Sequence, residues 1–278
     1  LLASIAALGW GATKALPPDN SLRVWFMEDD PRFADYDAFQ QTFGNDEIIA
    51  VHFHPDDEAF TEETLKQIAE VAMALDDLEH VARTYSVLDA LPLHNQPGEP
   101  VSPERITLSE SDLQQMREGA LADPLIRDHV VSADGEHVLL IVEPAVTPDF
   151  DAHRDQLVRD VRRVVDDHLA SADHHPALAG NGVIYQALNE VTARDFAIFL
   201  TIGLLILFAC LAWLTRSTSL TLATIGVITA GTVAAIGGYG WAGHKLNLVT
   251  SLIPTLVMVL GIADAIHFPV ALRRARRA

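Results

Sequence analysis

The chain has 278 residues, of which 49% are hydrophobic, and its formal net charge is −19. Of the 38 acidic residues, 37 lie in residues 1–195, and this strongly negative segment argues against nucleic acid as a partner. The single cysteine, Cys210, excludes an intrachain disulfide and a metal site built from several cysteines.

The N-terminal residues 1–14 are mostly apolar and begin LLASIAALGW. This stretch is too short to cross a bilayer, which takes about 20 residues in a helix. We interpret it as the outer end of a first transmembrane helix whose beginning is missing from the sequence. Residues 15–195, which follow, hold nearly all the acidic residues and are predicted to form one soluble, extracytoplasmic domain.

The first half of this domain predicts a strand, a helix and a second strand. Apolar and polar residues alternate in 47–54 (EIIAVHFH), as is typical of a half-buried strand. Thr61 is expected to cap the following helix, and 81–87 is expected to be the second strand. Ser109 and Asp112 have the spacing of a capping box and predict the start of another helix.

The same order repeats in the second half of the domain. The stretch 137–143 predicts a strand, 151–169 a long amphipathic helix and 178–184 a last short strand, followed by a helix from Gln186. Strand–helix–strand, occurring twice, is the split βαβ or ferredoxin-like pattern. It covers only one face of its sheet.

Residues 196–278 predict three transmembrane helices, at about 196–214, 217–243 and 246–272, because each apolar run is long enough to cross about 30 Å of hydrocarbon. Basic residues favour the cytoplasmic side, so Arg216 and the run RRARR at 273–277 place the acidic domain outside. The sequence therefore predicts an α+β membrane protein, in which a helix bundle carries an extracytoplasmic ferredoxin-like domain.

Four stretches, in this order, resemble the N-terminal half of resistance-nodulation-division (RND) transporters, and most closely their MMPL-like, hydrophobe-exporting branch: FGNDEIIAV (43–51), DPLIRDHVVSADGEHVLLIV (123–142), GNGVIYQALNEVTARDFAIFL (180–200) and LNLVTSLIPTLVMVLGIADAIHF (246–268). The resemblance implies twelve spans in two similar halves, a porter domain after the first span of each half, and assembly as a homo-oligomer, either a dimer or a trimer. By this comparison the sequence is a fragment of the transporter; the alternative is that a partner chain supplies the remaining spans.

Asp264 is the only acidic residue after Phe196, and it lies in an apolar run. Burying a carboxylate at mid-bilayer costs about 2.5–3.5 kcal/mol, so the default interpretation is functional. We predict that Asp264 carries a proton, with His267 as a second member of the relay. The alternative is that these residues only fix helix packing, and this is the favoured interpretation for His267, which lies close to the cytoplasmic end of the span. The common family pattern Asp-Tyr-Ala-Ile-His would place its acid at Ala263, a shift of one residue.

Glycine and proline residues in the predicted spans suggest how the helices pack. Gly237, Gly238 and Gly240 are expected to let neighbouring helices approach closely, with a sliding or hinging helix as the alternative. Pro254 is expected to kink the last helix near the relay.

The sequence predicts neither a metal site nor an enzyme. His52 and His54 share one face of a strand, and His174 and His175 are adjacent, but no further ligand follows at a diagnostic spacing. The sequence contains no GxSxG, Walker A or HExxH motif, which hydrolases and ATPases need for their chemistry. We therefore expect no cofactor.

Together these features predict a proton-driven exporter of lipids or other hydrophobic molecules, located in a bacterial inner membrane with its large loop in the periplasm. The expected partners are the hydrophobic substrate, protons and the membrane. Two alternatives remain: a sterol-sensing-like module that binds lipid without transporting it, and an accessory of protein secretion from the same superfamily. A protonation cycle at Asp264 would distinguish the exporter from the sensor.

Overall fold

The structure is a computed structural model, and it describes residues 2–16, 18–25, 30–55, 58–90, 101–147, 149–169 and 176–263. The chain divides into two compact units. Glu28–Gln186 forms one, here called the sheet unit, and Leu1–Met27 with Ala187–Ala278 forms the other, here called the helical unit.

The helices in chain order are α1 (Leu2–Ala15), α2 (Arg32–Phe43), α3 (Glu62–Asp76), α4 (Glu110–Ala122), α5 (Phe150–Leu169), α6 (Asn181–Thr215), α7 (Thr218–Trp241) and α8 (Thr250–Ala263). The strands are β1 (Ile49–Phe53), β2 (Val81–Tyr85), β3 (Val138–Pro144) and β4 (Ala177–Ala179). They form one sheet in the order β2-β3-β1-β4, and every neighbouring pair is antiparallel.

The core of the sheet unit lies between this sheet and two helices. In β1 the alternate residues Ile49, Val51 and Phe53 are buried, as the two-residue period of a strand requires. Both helices, α3 and α5, bury an apolar stripe, and they pack against each other as well as against strands β2 and β1 respectively. The helices and alternate strand residues therefore share one hydrophobic core.

Local signals at the helix ends are confirmed. The hydroxyl of Thr61 accepts a hydrogen bond from the backbone N–H of Thr64 at 3.1 Å, at the start of α3. Ser109 and Asp112 form the predicted capping box at the start of α4. Each cap satisfies a backbone N–H that has no partner within the helix.

The predicted strand at 178–184 is wrong over most of its length. Strand β4 ends at Ala179, and α6 begins at Asn181 instead of near Gln186. Gly180 lies between them with φ +123°, and a Cβ atom there would overlap the carbonyl oxygen of Ile48. Because only glycine fits this conformation and this close approach, the strand stops and the chain turns into the helix.

The helical unit contains α1, α7, α8 and most of α6. Both α6, with 35 residues, and α7, with 24, are long and apolar enough to cross a membrane. The apolar helix α8 is described only as far as Ala263, so the end of the predicted span at 246–272 lies outside the described residues.

Candidate functional site

The predicted proton relay, Asp264 and His267, lies outside the described residues, as do His174 and His175. The described part of α8 leads up to it. Here Met258 is buried in a small apolar cluster with residues of α6 and α7. A Cβ atom on Gly261 would lie 3.2 Å from Cγ1 of Ile228, so α8 approaches α7 closely at this glycine.

Helix α8 opens with a 3₁₀ turn formed by Thr250–Leu252, and Pro254 is buried in the first α-helical turn that follows it. A proline in the first turn of a helix needs no hydrogen-bond acceptor, because the N–H groups of that turn have no partner within the helix. Pro254 therefore begins the regular part of α8, and at this position it does not interrupt the helix.

The predicted packing glycines differ in their surroundings. A Cβ atom on Gly237 would overlap the carbonyl oxygen of Leu8, and one on Gly240 would overlap that of Gly11. These two glycines thus bring the backbones of α1 and α7 into direct contact. At Gly238, apart from its chain neighbours and the adjacent backbone of α7, no described atom lies within 4 Å of the position that a Cβ would take.

A buried polar network joins α6 to the segment that follows α1. The side-chain oxygen of Asn189 accepts hydrogen bonds from the backbone and side-chain nitrogens of Asn20, both at 2.9 Å. The Asn20 amide also donates to the Thr192 hydroxyl at 3.3 Å. All three side chains are buried, and their hydrogen bonds replace those lost to water.

The same network extends to the connection between α7 and α8. The side-chain oxygen of Asn20 accepts the backbone N–H of Leu248 at 2.8 Å. Beside it, Asp19 donates its N–H to the carbonyl of Leu246, and Leu246 donates its N–H to the carbonyl of Ala15. Asn20 therefore links three separate parts of the helical unit through one side chain.

Arg154 is the largest fully buried side chain of the sheet unit, with 1% of its surface exposed. It extends from α5 into a pair with Glu47, and one of the two hydrogen bonds measures 2.7 Å. Asp151, one turn earlier in α5, is a second acidic partner. The guanidinium carbon also lies 5.3 Å from the centre of the Tyr185 ring, near the start of α6.

Burial and ion pairing act in opposite directions on these groups. Burial alone would lower the pKa of Arg154, but the hydrogen bonds and charges of Glu47 and Asp151 raise it above the ordinary value. Burial raises the pKa of Glu47, against the effect of Arg154. Because a guanidinium does not lose its proton in a protein, we treat the pair as ionised. The Nη1 atom of Arg154 is buried with no hydrogen-bond partner among the described residues.

Three histidines meet on the face of the sheet opposite the buried side chains of β1. The Nε2 atom of His52 lies 3.1 Å from Nδ1 of His137, and the rings of His54 and His137 are 4.8 Å apart. Burial, followed by the charges of His137 and His54, lowers the pKa of His52. Within the described part of the chain, no three His, Cys, Asp or Glu residues are arranged to hold a metal ion.

A cavity of about 600 Å³ lies in the sheet unit beside α4, and we call it the α4 cavity. Arg117 bridges one side of it, donating to Glu58 at 2.8 Å and to the carbonyl of Asp134 at 3.3 Å. Its lining residues come from the start of α3, one face of α4 and the turn before β3: Glu58, Phe60, Thr61, Glu110, Leu113, Gln114, Arg117, Glu118, Leu121, Ala133 and Asp134. This volume suits a small organic ligand.

Comparison with known proteins assigns the chain to a family. Its sequence matches the MMPL family over residues 32–271, which cover most of the sheet unit and the helices that follow it. The chain belongs to the MMPL family. A comparison with curated proteins finds no match.

Membership of the MMPL family makes this chain a membrane protein of the RND type, whose members transport hydrophobic substrates. The resemblance inferred from the four sequence stretches is thereby confirmed at the level of the superfamily. In this MMPL protein Asn20 forms hydrogen bonds with residues of two of those stretches. Its partners are Asn189 and Thr192 in 180–200 and Leu248 in 246–268.

Sequence reasoning did not identify the polar groups that this MMPL protein buries. For Arg154 a signal was present, because it lies three and seven residues before Leu157 and Val161 on the apolar stripe of α5. A charge on such a stripe needs a buried partner. Nothing local identified the partner as Glu47, which is 107 residues away.

Proposed function

We propose that the protein is a proton-driven exporter of lipids or other hydrophobic molecules. The observation that carries this proposal is the match to the MMPL family, because it extends over residues 32–271 and so includes both the sheet unit and the apolar helices. We place the protein in a bacterial inner membrane with several spans and with the sheet unit in the periplasm. It would act as a homo-oligomer, either a dimer or a trimer, and not as an enzyme.

In this proposal the sheet unit is a ferredoxin-like porter domain. Two features support the assignment: the antiparallel strand order β2-β3-β1-β4, and the position of α3 and α5 in the chain, between β1 and β2 and between β3 and β4. The α4 cavity would give such a domain a place to hold a substrate.

Asp264 would carry the coupling proton, and His267 would exchange it. Support comes from the sequence, since Asp264 is the only acidic residue after Phe196. A charged carboxylate is costly to keep in an apolar run, so such a group can bind and release a proton as its surroundings change.

The proposal is tested by export from vesicles that contain the protein and carry an imposed proton gradient. Wild type is compared with Asp264→Asn, and Cys210→Ser, at an exposed position of α6, serves as the control variant. We expect gradient-dependent export from wild type and the control, and none from Asp264→Asn. If Asp264→Asn inserts normally and exports at the wild-type rate, Asp264 does not carry the coupling proton.

A further inference from the structure

We propose that the α4 cavity binds a cationic amphiphile, holding its positively charged head and part of its hydrocarbon chain. This inference rests on the proposed function, because it names the charge class of the hydrophobic substrate that the exporter would take. It comes from the arrangement of apolar and charged side chains around the cavity.

One face of α4 forms a wall of the cavity. The α4 residues that line it follow the first one at three, four, seven, eight and eleven positions, so they lie on a single side of the helix: Glu110, Leu113, Gln114, Arg117, Glu118 and Leu121. Leu113 and Leu121 also pack on the main core, and Phe60, across the cavity, is only 5% exposed. This gives the cavity an apolar surface that a hydrocarbon chain can cover.

The only basic side chain in the lining is already engaged. Arg117 pairs with Glu58 at 2.8 Å and also donates to the carbonyl oxygen of Asp134 at 3.3 Å. Glu58 balances the charge of this guanidinium, so little net attraction remains for an anionic head group. Arg117 therefore closes one side of the cavity and does not serve as an anion receptor.

Three other carboxylates remain around the cavity: Glu110, Glu118 and Asp134. Asp134 accepts hydrogen bonds from the Ser132 hydroxyl and from the backbone N–H of Glu136, and these bonds lower the pKa of its carboxyl group. Glu118 accepts a longer bond of 3.4 Å from the amide of Gln114. None of the three has a basic partner among the lining residues, so the cavity carries a net negative charge.

This charge distinguishes between classes of ligand. A carboxylate or phosphate head would meet several like charges, whereas an ammonium would pair with them. The rest of the segment 1–195 adds to this negative charge, because it contains 37 acidic and 13 basic residues in all. Such a field raises the local concentration of cations and repels anionic lipids. An apolar wall beside uncompensated carboxylates therefore fits an alkylammonium better than a fatty acid.

The experiment uses the whole chain in nanodiscs of uncharged phosphatidylcholine, with empty nanodiscs as the background. The probes are octylammonium, octanol and octanoate, which share a chain length and differ in head charge, and binding is measured by calorimetry. We expect octylammonium to bind at least about tenfold more tightly than octanoate, a difference of about 1.4 kcal/mol. Its affinity should fall as salt is added.

Matched variants separate the cavity from the general charge of the domain. The double substitution Glu110→Gln and Glu118→Gln removes two charges from the lining. Glu70→Gln with Glu104→Gln removes two charges from exposed positions outside it. We expect the first pair to weaken octylammonium binding about tenfold and to leave octanol binding unchanged, and we expect the control pair to have a much smaller effect. Ala133→Phe, at an exposed position on the rim, should reduce binding of every probe that enters the cavity.

The proposal is overturned if octanoate binds as tightly as octylammonium, or if the two glutamate pairs behave alike. Failure here is distinguishable from failure of the proposed function. If the protein exports an uncharged lipid in response to the proton gradient but does not bind octylammonium, the proposed function is supported and the inference about the cavity is rejected. If octylammonium binds at the cavity but export does not depend on the proton gradient, the inference about the cavity stands and the proposed proton-driven export fails.

Discussion

Asn189 accepts two hydrogen bonds from Asn20, because its side-chain oxygen lies 2.9 Å from both the backbone nitrogen and the side-chain nitrogen of that residue. The bonds span 169 positions of sequence and tie α6 to the segment after α1. Through Leu248 the same asparagine, Asn20, also holds the connection before α8. In the proposed exporter, α8 is the helix that precedes Asp264, so this network supports the helices on which the proton relay depends.

Replacing Asn189 by leucine should destabilise the helical unit by about 1–3 kcal/mol, because buried donors of Asn20 lose their acceptor. Thermal unfolding of the whole chain in detergent would measure the effect. Val191→Ala, at an exposed position on α6, is the control and should leave the melting temperature nearly unchanged. Equal melting temperatures for Asn189→Leu and wild type would show that the network contributes little.

Gly240→Ala and Gly238→Ala should affect thermal stability differently, although the two residues are only two positions apart in α7. At Gly240 the added methyl group would overlap the backbone of Gly11, so α1 and α7 would have to separate. At Gly238 the added methyl group would meet no described atom within 4 Å outside its own stretch of α7, and alanine favours a helix over glycine by about 1 kcal/mol. We expect a clear loss of thermal stability for the first variant and no loss for the second. A similar loss in both would contradict the close contact at Gly240.

Arg154→Met should destabilise the sheet unit by about 3–5 kcal/mol, because it leaves Glu47 buried without its ionic partner. Adding Glu47→Gln removes the remaining charge, so the double variant should recover part of the loss. Denaturant unfolding of wild type, both single variants and the double variant gives the coupling energy between the two residues. Strictly additive effects would show that the pair is not coupled.

The stability of the sheet unit should fall as the pH falls below about 6.5, the ordinary pKa of histidine. Burial and its histidine neighbours lower the pKa of His52 in the folded protein, so the unfolded chain binds the proton more readily. The groups facing this cluster are His54, His137 and the carboxylate of Glu136, which is 4.0 Å from His54.

Unfolding midpoints at pH 7.5 and pH 5 would measure this dependence. His52→Gln should reduce it, whereas His129→Gln, at an exposed position outside the cluster, should retain the wild-type slope. If His52→Gln keeps the full dependence on pH, protonation of His52 does not contribute to it.

Local features of the fold could be predicted from the sequence, and long-range polar pairs could not. The caps at Thr61 and Ser109 involve residues three positions apart, and the alternation in β1 identifies its own buried face. The bonds from Asn20 to Asn189 and from Arg154 to Glu47 depend on which elements meet in space. A single sequence gives the residue types but does not give their partners.

The end of β4 shows a second limit. The short apolar stretch around Leu178 to Ile184 is consistent with a strand as well as with a buried helix segment. Gly180 decides between them through its positive φ and its contact with the backbone of Ile48, and that contact exists only in the folded sheet. The α4 cavity shows the same limit. The sequence indicates that the domain is acidic, but it does not indicate which carboxylates lie beside the apolar side chains of the cavity.

The most direct test of proton-coupled transport is to measure proton movement itself. Vesicles containing the protein and an internal pH-sensitive dye are given a hydrophobic substrate, and proton flux is followed in wild type and in Asp264→Asn. We predict that substrate triggers proton flux in wild type and that Asp264→Asn abolishes it without preventing insertion. Substrate movement with no accompanying proton flux in wild type would contradict the account.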